Sequence, residues 1–121
     1  MTEHLSLDDL LQLISDLRVG PVRDVGALDA AAYRPSATIY GVEAYESLDA
    51  KAAALMESIV RGHPLVDGNK RLGWLAVVVL YGLNGVELDA EDDVAFDLVV
   101  GLAAGEITID ALTAALREVR R

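Results

Sequence analysis

No cysteine occurs among the 121 residues. That excludes a disulfide framework and a thiolate metal site, and it fits a protein of the reducing cytoplasm. A long hydrophobic run is also missing. The longest apolar stretch, Leu72–Leu83, is interrupted by Gly73 and Gly82 and is only twelve residues long. It is too short to cross a bilayer and reads as a buried helix, so no membrane association is expected. The opening residues, MTEHLSLDDL, are acidic and lack the apolar segment of a signal peptide, which again points to the cytoplasm. Positive charge is scarce: 10 Lys and Arg stand against 20 Asp and Glu, for a net charge of −10. Direct nucleic-acid binding needs a basic footprint and is not expected here, whereas a basic partner suits the balance. Repeats, low-complexity tracts and linkers are absent too, so residues 1–121 read as a single domain with one modest core.

What the sequence does contain is helical patterning. Ser6 and Asp9 form a capping start, and Leu7, Leu10, Leu11, Ile14 and Leu17 keep helical spacing to Arg18, before Gly20-Pro21 ends the helix. A short helix over Ala27–Ala32 stops at Arg34-Pro35. Ser36–Gly41 alternates in polarity and reads as an extended arm, a short flap before the third helix. Ser47 caps that helix, Leu48–Arg61, and Gly62 ends it. A fourth helix spans Asn69–Leu83. Apolar on nearly all faces, it is expected to be the central helix, with Val77, Val79 and Leu80 buried. After an extended link, Val86–Leu88, Asp89 is placed to cap a fifth helix to about Ala104, with Gly105 as its stop. Thr108 opens the last helix, with Ile109, Leu112, Leu116 and Val119 on one face. Arg117, Arg120 and Arg121 are placed to favour its negative end. The expected fold is all-α, a compact six-helix domain.

The chemistry concentrates in His63-Pro64-Leu65-Val66-Asp67-Gly68-Asn69-Lys70-Arg71. Its last residues open the fourth helix, where unpaired N–H groups and the positive dipole end collect. Gly68 lets the backbone approach a ligand, and Lys70 and Arg71 add charge and a bidentate fork, so the segment suits phosphate. Asp67 supplies a hard carboxylate for Mg²⁺ beside bound phosphates. His63 is of the residue type best suited to taking the proton of an attacking hydroxyl. Taken singly, each of these has an ordinary reading: a helix end, a turn, a solvated face. Together within nine residues they make a base, a metal ligand and an anion cradle, the parts that phosphoryl or nucleotidyl transfer requires. His4 has only an ordinary structural reading.

This segment is similar to the signature of the Fic/Doc family, H-x-F-x-[DE]-[GA]-N-x-R. It resembles the Doc branch most, because Lys70 and Trp74 stand where Fic enzymes carry glycine and a second arginine. Arg34–Thr38, Arg61-Gly62, Asn84–Val86 and Gly105–Ile107 extend the likeness along the chain. The resemblance implies a Fic/Doc-like fold and a toxin that transfers the γ-phosphate of ATP to a threonine of elongation factor Tu, arresting translation. By position it makes His63 the general base, Asp67 the Mg²⁺ ligand, Asn69 part of the anion hole, and Gly68, Lys70 and Arg71 partners of the nucleotide phosphates. It further implies inhibition by a Phd-type antitoxin, because the inhibitory pattern [ST]-x-x-x-E-[GN] of many Fic proteins has no match here. Two other readings stand beside it: AMP transfer as in Fic enzymes, and a degenerate, non-enzymatic partner of an antitoxin. Leu65 replaces the motif's aromatic residue and is expected to keep its apolar anchoring role. Gly73, inside a helix, is expected to cost about 1 kcal/mol relative to alanine.

Overall fold

The computed structural model describes all 121 residues. The elements are α1 (Leu7–Leu17), α2 (Val25–Tyr33), a 3-10 turn at Arg34–Ser36, β1 (Thr38–Ile39), β2 (Val42–Glu43), α3 (Leu48–Gly62), α4 (Asn69–Leu83), α5 (Asp92–Ala103) and α6 (Ile109–Val119). The fold is all-α as expected, and the two strands form one short antiparallel hairpin. Tyr40 and Gly41 turn that hairpin with φ of 52° and 79°, the left-handed pair a two-residue turn requires. Local capping signals hold. Ser6 and Asp9 form a full capping box, and Ser47 and Thr108 each accept a backbone N–H of their helix.

Tertiary contacts alter several boundaries. Asp24 caps α2, which therefore begins at Val25 rather than Ala27. Its last turn runs into the 3-10 turn, where Pro35 is tolerated because an opening turn needs no N–H from it. Asp89 does not cap α5. Its N–H bonds Val119 O at 2.7 Å, its carboxylate pairs with Arg121, and α5 starts only at Asp92. Gly62 is the last residue of α3, and His63 itself takes the left-handed capping conformation.

The central helix is α3, not α4: it packs against α2, α4, α5 and α6. Six consecutive residues, Lys51 to Met56, are buried, three of them alanines that let neighbours close in from every side. In α4, Val77 and Leu80 are buried as expected, but Val79 is only half-buried. Gly73 is more than a weak point in α4. A Cβ there would lie 2.6 Å from Val60 Cγ2, so the glycine permits the close α3–α4 approach.

Two polar centres tie the fold together. The buried Asp49 carboxylate accepts from Tyr81 Oη at 2.6 Å and Arg117 Nε at 3.3 Å, with Arg120 Nε at 3.7 Å. A buried charge persists because it is paired in this way. Arg117 and Arg120 thus answer Asp49, and Arg121 answers Asp89, rather than the dipole of α6. Burial, reinforced by the neighbouring Asp49 carboxylate, pushes the Tyr81 phenol far above its usual pKa. The second centre is Lys51, whose buried Nζ donates to the carbonyls of Tyr45 and Glu46 and pairs with Glu43 at 3.1 Å. It holds the base of the hairpin on α3.

Candidate active site

The loop from His63 to Gly68 joins the two best-packed helices, α3 and α4. Leu65 anchors it from below. The side chain is 1% exposed and part of the main core, so it fills the apolar role expected of it. From the side, the segment between α1 and α2 clasps the loop's backbone. Gly20 N–H donates to Asp67 O at 3.0 Å, Val66 N–H to Pro21 O at 3.0 Å, and the N–H groups of Arg23 and Asp24 to Pro64 O at 2.8 and 3.1 Å. The Arg23 guanidinium donates to His63 O through both Nε, at 3.0 Å, and Nη2.

Gly68 is required twice over. Its φ is +94°, and a Cβ would sit 2.4 Å from Val19 Cβ. As the N-cap of α4 it offers no side chain to the helix. The N–H groups of Asn69, Lys70 and Arg71 consequently have no protein acceptor, and the first helical bond is Leu72 N–H to Gly68 O at 2.9 Å. Three free N–H groups at a dipole's positive end form an anion cradle.

The sequence-predicted residues come together. His63, Asp67, Gly68, Asn69, Lys70 and Arg71 line one open cleft of about 310 Å³, with Val60 and Val66 as its apolar wall. Lys70 makes no ion pair, and Arg71 reaches Asp67 only at 4.0 Å with both side chains well exposed. Their charges remain available in a chain that is acidic overall. His63 has φ 50° and ψ 55°, a left-handed conformation that costs a non-glycine residue about 1–2 kcal/mol. No protein group bonds its Nε2, while Nδ1 lies 3.5 Å from Asn69 Nδ2, too long to fix the ring tautomer.

The Asn69 side chain braces the loop that precedes it. Its amide accepts from Leu65 N–H and donates to Leu65 O, so only its backbone N–H faces the cradle unpaired. Trp74 does not line this cleft. It borders a neighbouring apolar groove with Leu17, Leu75, Phe96 and Val99. Sequence reasoning missed Arg23 and Val19 altogether. Both contact the loop from more than 35 residues away, and no local pattern marks them.

The Asp67 side chain is 84% exposed, and its one ion pair is with Arg71. No three His, Cys, Asp or Glu side chains gather anywhere into a metal cage. This donor set fits Mg²⁺ carried in by phosphate, which needs one protein carboxylate and completes its shell with phosphate and water oxygens. No helix is long and apolar enough to cross a membrane.

Comparison with known proteins agrees with this geometry. The sequence model of the Fic/DOC family matches residues 4–81, which include the whole loop and most of α4. A curated protein of Mycolicibacterium smegmatis, Toxin Doc, is 48% identical over 120 residues, covering 96% of this chain and 92% of that protein.

Proposed function

This chain belongs to the Fic/Doc family, and we propose that it is the toxin of a toxin–antitoxin pair, transferring the γ-phosphate of ATP to a protein hydroxyl. One observation carries the reading. Asn69, Lys70 and Arg71, whose backbone N–H groups have no protein acceptor, line the same cleft as His63 and Asp67. The free N–H groups and the two cations bind the transferring phosphate and stabilise charge on its oxygens. His63 takes the proton of the acceptor hydroxyl at Nε2. The hydroxyl oxygen then bonds the γ-phosphorus, the bond to the β–γ bridging oxygen breaks, and ADP leaves. Asp67 would hold Mg²⁺, which would offset negative charge on the phosphates.

Lys70 and Trp74 favour phosphate over AMP transfer. A lysine in the cradle supplies a cation for a terminal phosphate, and the tryptophan faces the adjoining groove, so no second arginine reaches the cleft from that position. The resemblance to Doc supports a threonine of elongation factor Tu as the acceptor and a Phd-type antitoxin as the inhibitor in this reading. Induced expression tests the reading in cells. Wild-type protein should arrest translation, and both His63→Ala and co-expression of the antitoxin should restore it. Continued translation under wild-type expression contradicts the proposal.

A further inference from the structure

We infer that Arg23 is a positioning residue for His63, holding the backbone of the general base in its left-handed conformation; this rests on the role proposed for His63. Arg23 has no carboxylate partner, although the chain carries 20 acidic residues. Its guanidinium instead straddles a single oxygen, His63 O, through Nε and Nη2. Charge-assisted bonds to one carbonyl from a rigid planar fork fix orientation as well as distance.

The carbonyl that Arg23 grips is the one a left-handed residue redirects. His63 N–H still closes the helix on Ile59 O at 3.2 Å, and beyond that bond the chain turns away from α3. Without a partner, His63 O would be held only by solvent. The next carbonyl, of Pro64, is taken by the N–H groups of Arg23 and Asp24. Asp24 is itself fixed as the cap of α2, accepting from Ala27 N–H at 3.0 Å. The clamp therefore rests on a helix end, and it grips both peptide groups that follow the catalytic ring. Asn69 Nδ2, at 3.5 Å, is the sole protein contact on the ring nitrogens. The backbone clamp must then do most of the aiming.

Arg23 is exposed, so shortening it removes the clamp without opening the core. The test compares wild type with Arg23→Ala and Arg23→Lys in three measurements. These are the ring NMR signals of the two histidines, the melting temperature, and the steady-state transfer from ATP to purified elongation factor Tu. In Arg23→Ala the His63 ring signals should shift while those of His4 stay in place. The value of kcat should fall about 10- to 100-fold at an unchanged KM for ATP, since small misplacement of a reacting group costs rates of that order. Arg23→Lys, which keeps one donor, should fall between the two. Unmoved His63 signals, or a loss of activity matched by a fall in melting temperature, would overturn the inference. If wild-type protein transfers no label, the enzymatic reading fails by itself, and the ring signals alone then decide whether Arg23 sets the conformation of His63.

Discussion

The side-chain amide of Asn69 closes on the peptide of Leu65 in both senses, accepting its N–H at 3.0 Å and donating to its carbonyl at 2.9 Å. The first residue of α4 thereby braces the loop that precedes it, between His63 and Asp67. Asn69→Ala should leave the part-buried Leu65 peptide unpaired and destabilise the protein by about 1–3 kcal/mol. Transfer should fall by more than this stability loss explains, on the order of tenfold or greater, because the loop loses its shape. Urea unfolding and initial rates on the same samples check both effects.

Gly68 meets Val19 so closely that no side chain fits. Gly68→Ala should destabilise by about 2–4 kcal/mol, combining a positive-φ penalty with overpacking. Val19→Ala in the same chain should recover only part of this. It removes the methyl groups at 2.5 and 3.1 Å but leaves Val19 Cβ, at 2.4 Å from the new atom. A double-mutant cycle by denaturant unfolding measures the coupling.

In the proposed reaction His63 accepts the proton, and in the fold it bends the chain at φ 50°. His63→Ala should lower transfer by roughly 10²–10⁴-fold while the fold survives. His63→Gly should be equally inactive yet more stable than His63→Ala by about 1 kcal/mol, since glycine occupies this conformation freely. Thermal melts of the two variants separate the ring's chemical role from the backbone's conformational one.

The Tyr81–Asp49 bond predicts an alkaline dependence. Burial first, then the Asp49 carboxylate, raises the phenol's pKa, so the folded protein keeps a proton that the unfolded chain releases above about pH 10. Stability from this group is complete below that pH and declines as pH rises beyond it. Tyr81→Phe should cost about 1–3 kcal/mol near neutrality and show a flatter decline at alkaline pH. Melting temperatures across that range provide the comparison.

What the sequence made legible was local. Ser6 with Asp9, Ser47 and Thr108 announce helix starts because the capping partner lies three residues on. The His63–Arg71 loop stood out for the same reason: its candidate residues are contiguous, and α4 begins at Asn69 as its pattern predicts. Features set by distant partners were not legible. Asp89 looks like a cap, but Val119 and Arg121 claim it. The alanines of α3 give a weaker apolar signal than the valines of α4, yet their small size is what allows α3 to be surrounded. Arg23 carries no motif, and its contact with His63 exists only once the α1–α2 segment folds over the loop.

Under the proposed function Lys70 is the residue on which the two transfer chemistries divide, and ATP labelled at one phosphate at a time tests the central claim most directly. Purified wild-type protein is incubated with elongation factor Tu, Mg²⁺ and ATP carrying label at either the α or the γ position. The account predicts label on the acceptor from γ-labelled ATP and none from α-labelled ATP, with Lys70→Gly lowering the γ signal. Label arriving from the α position with wild-type protein would contradict it and establish AMP transfer as the reaction of this site.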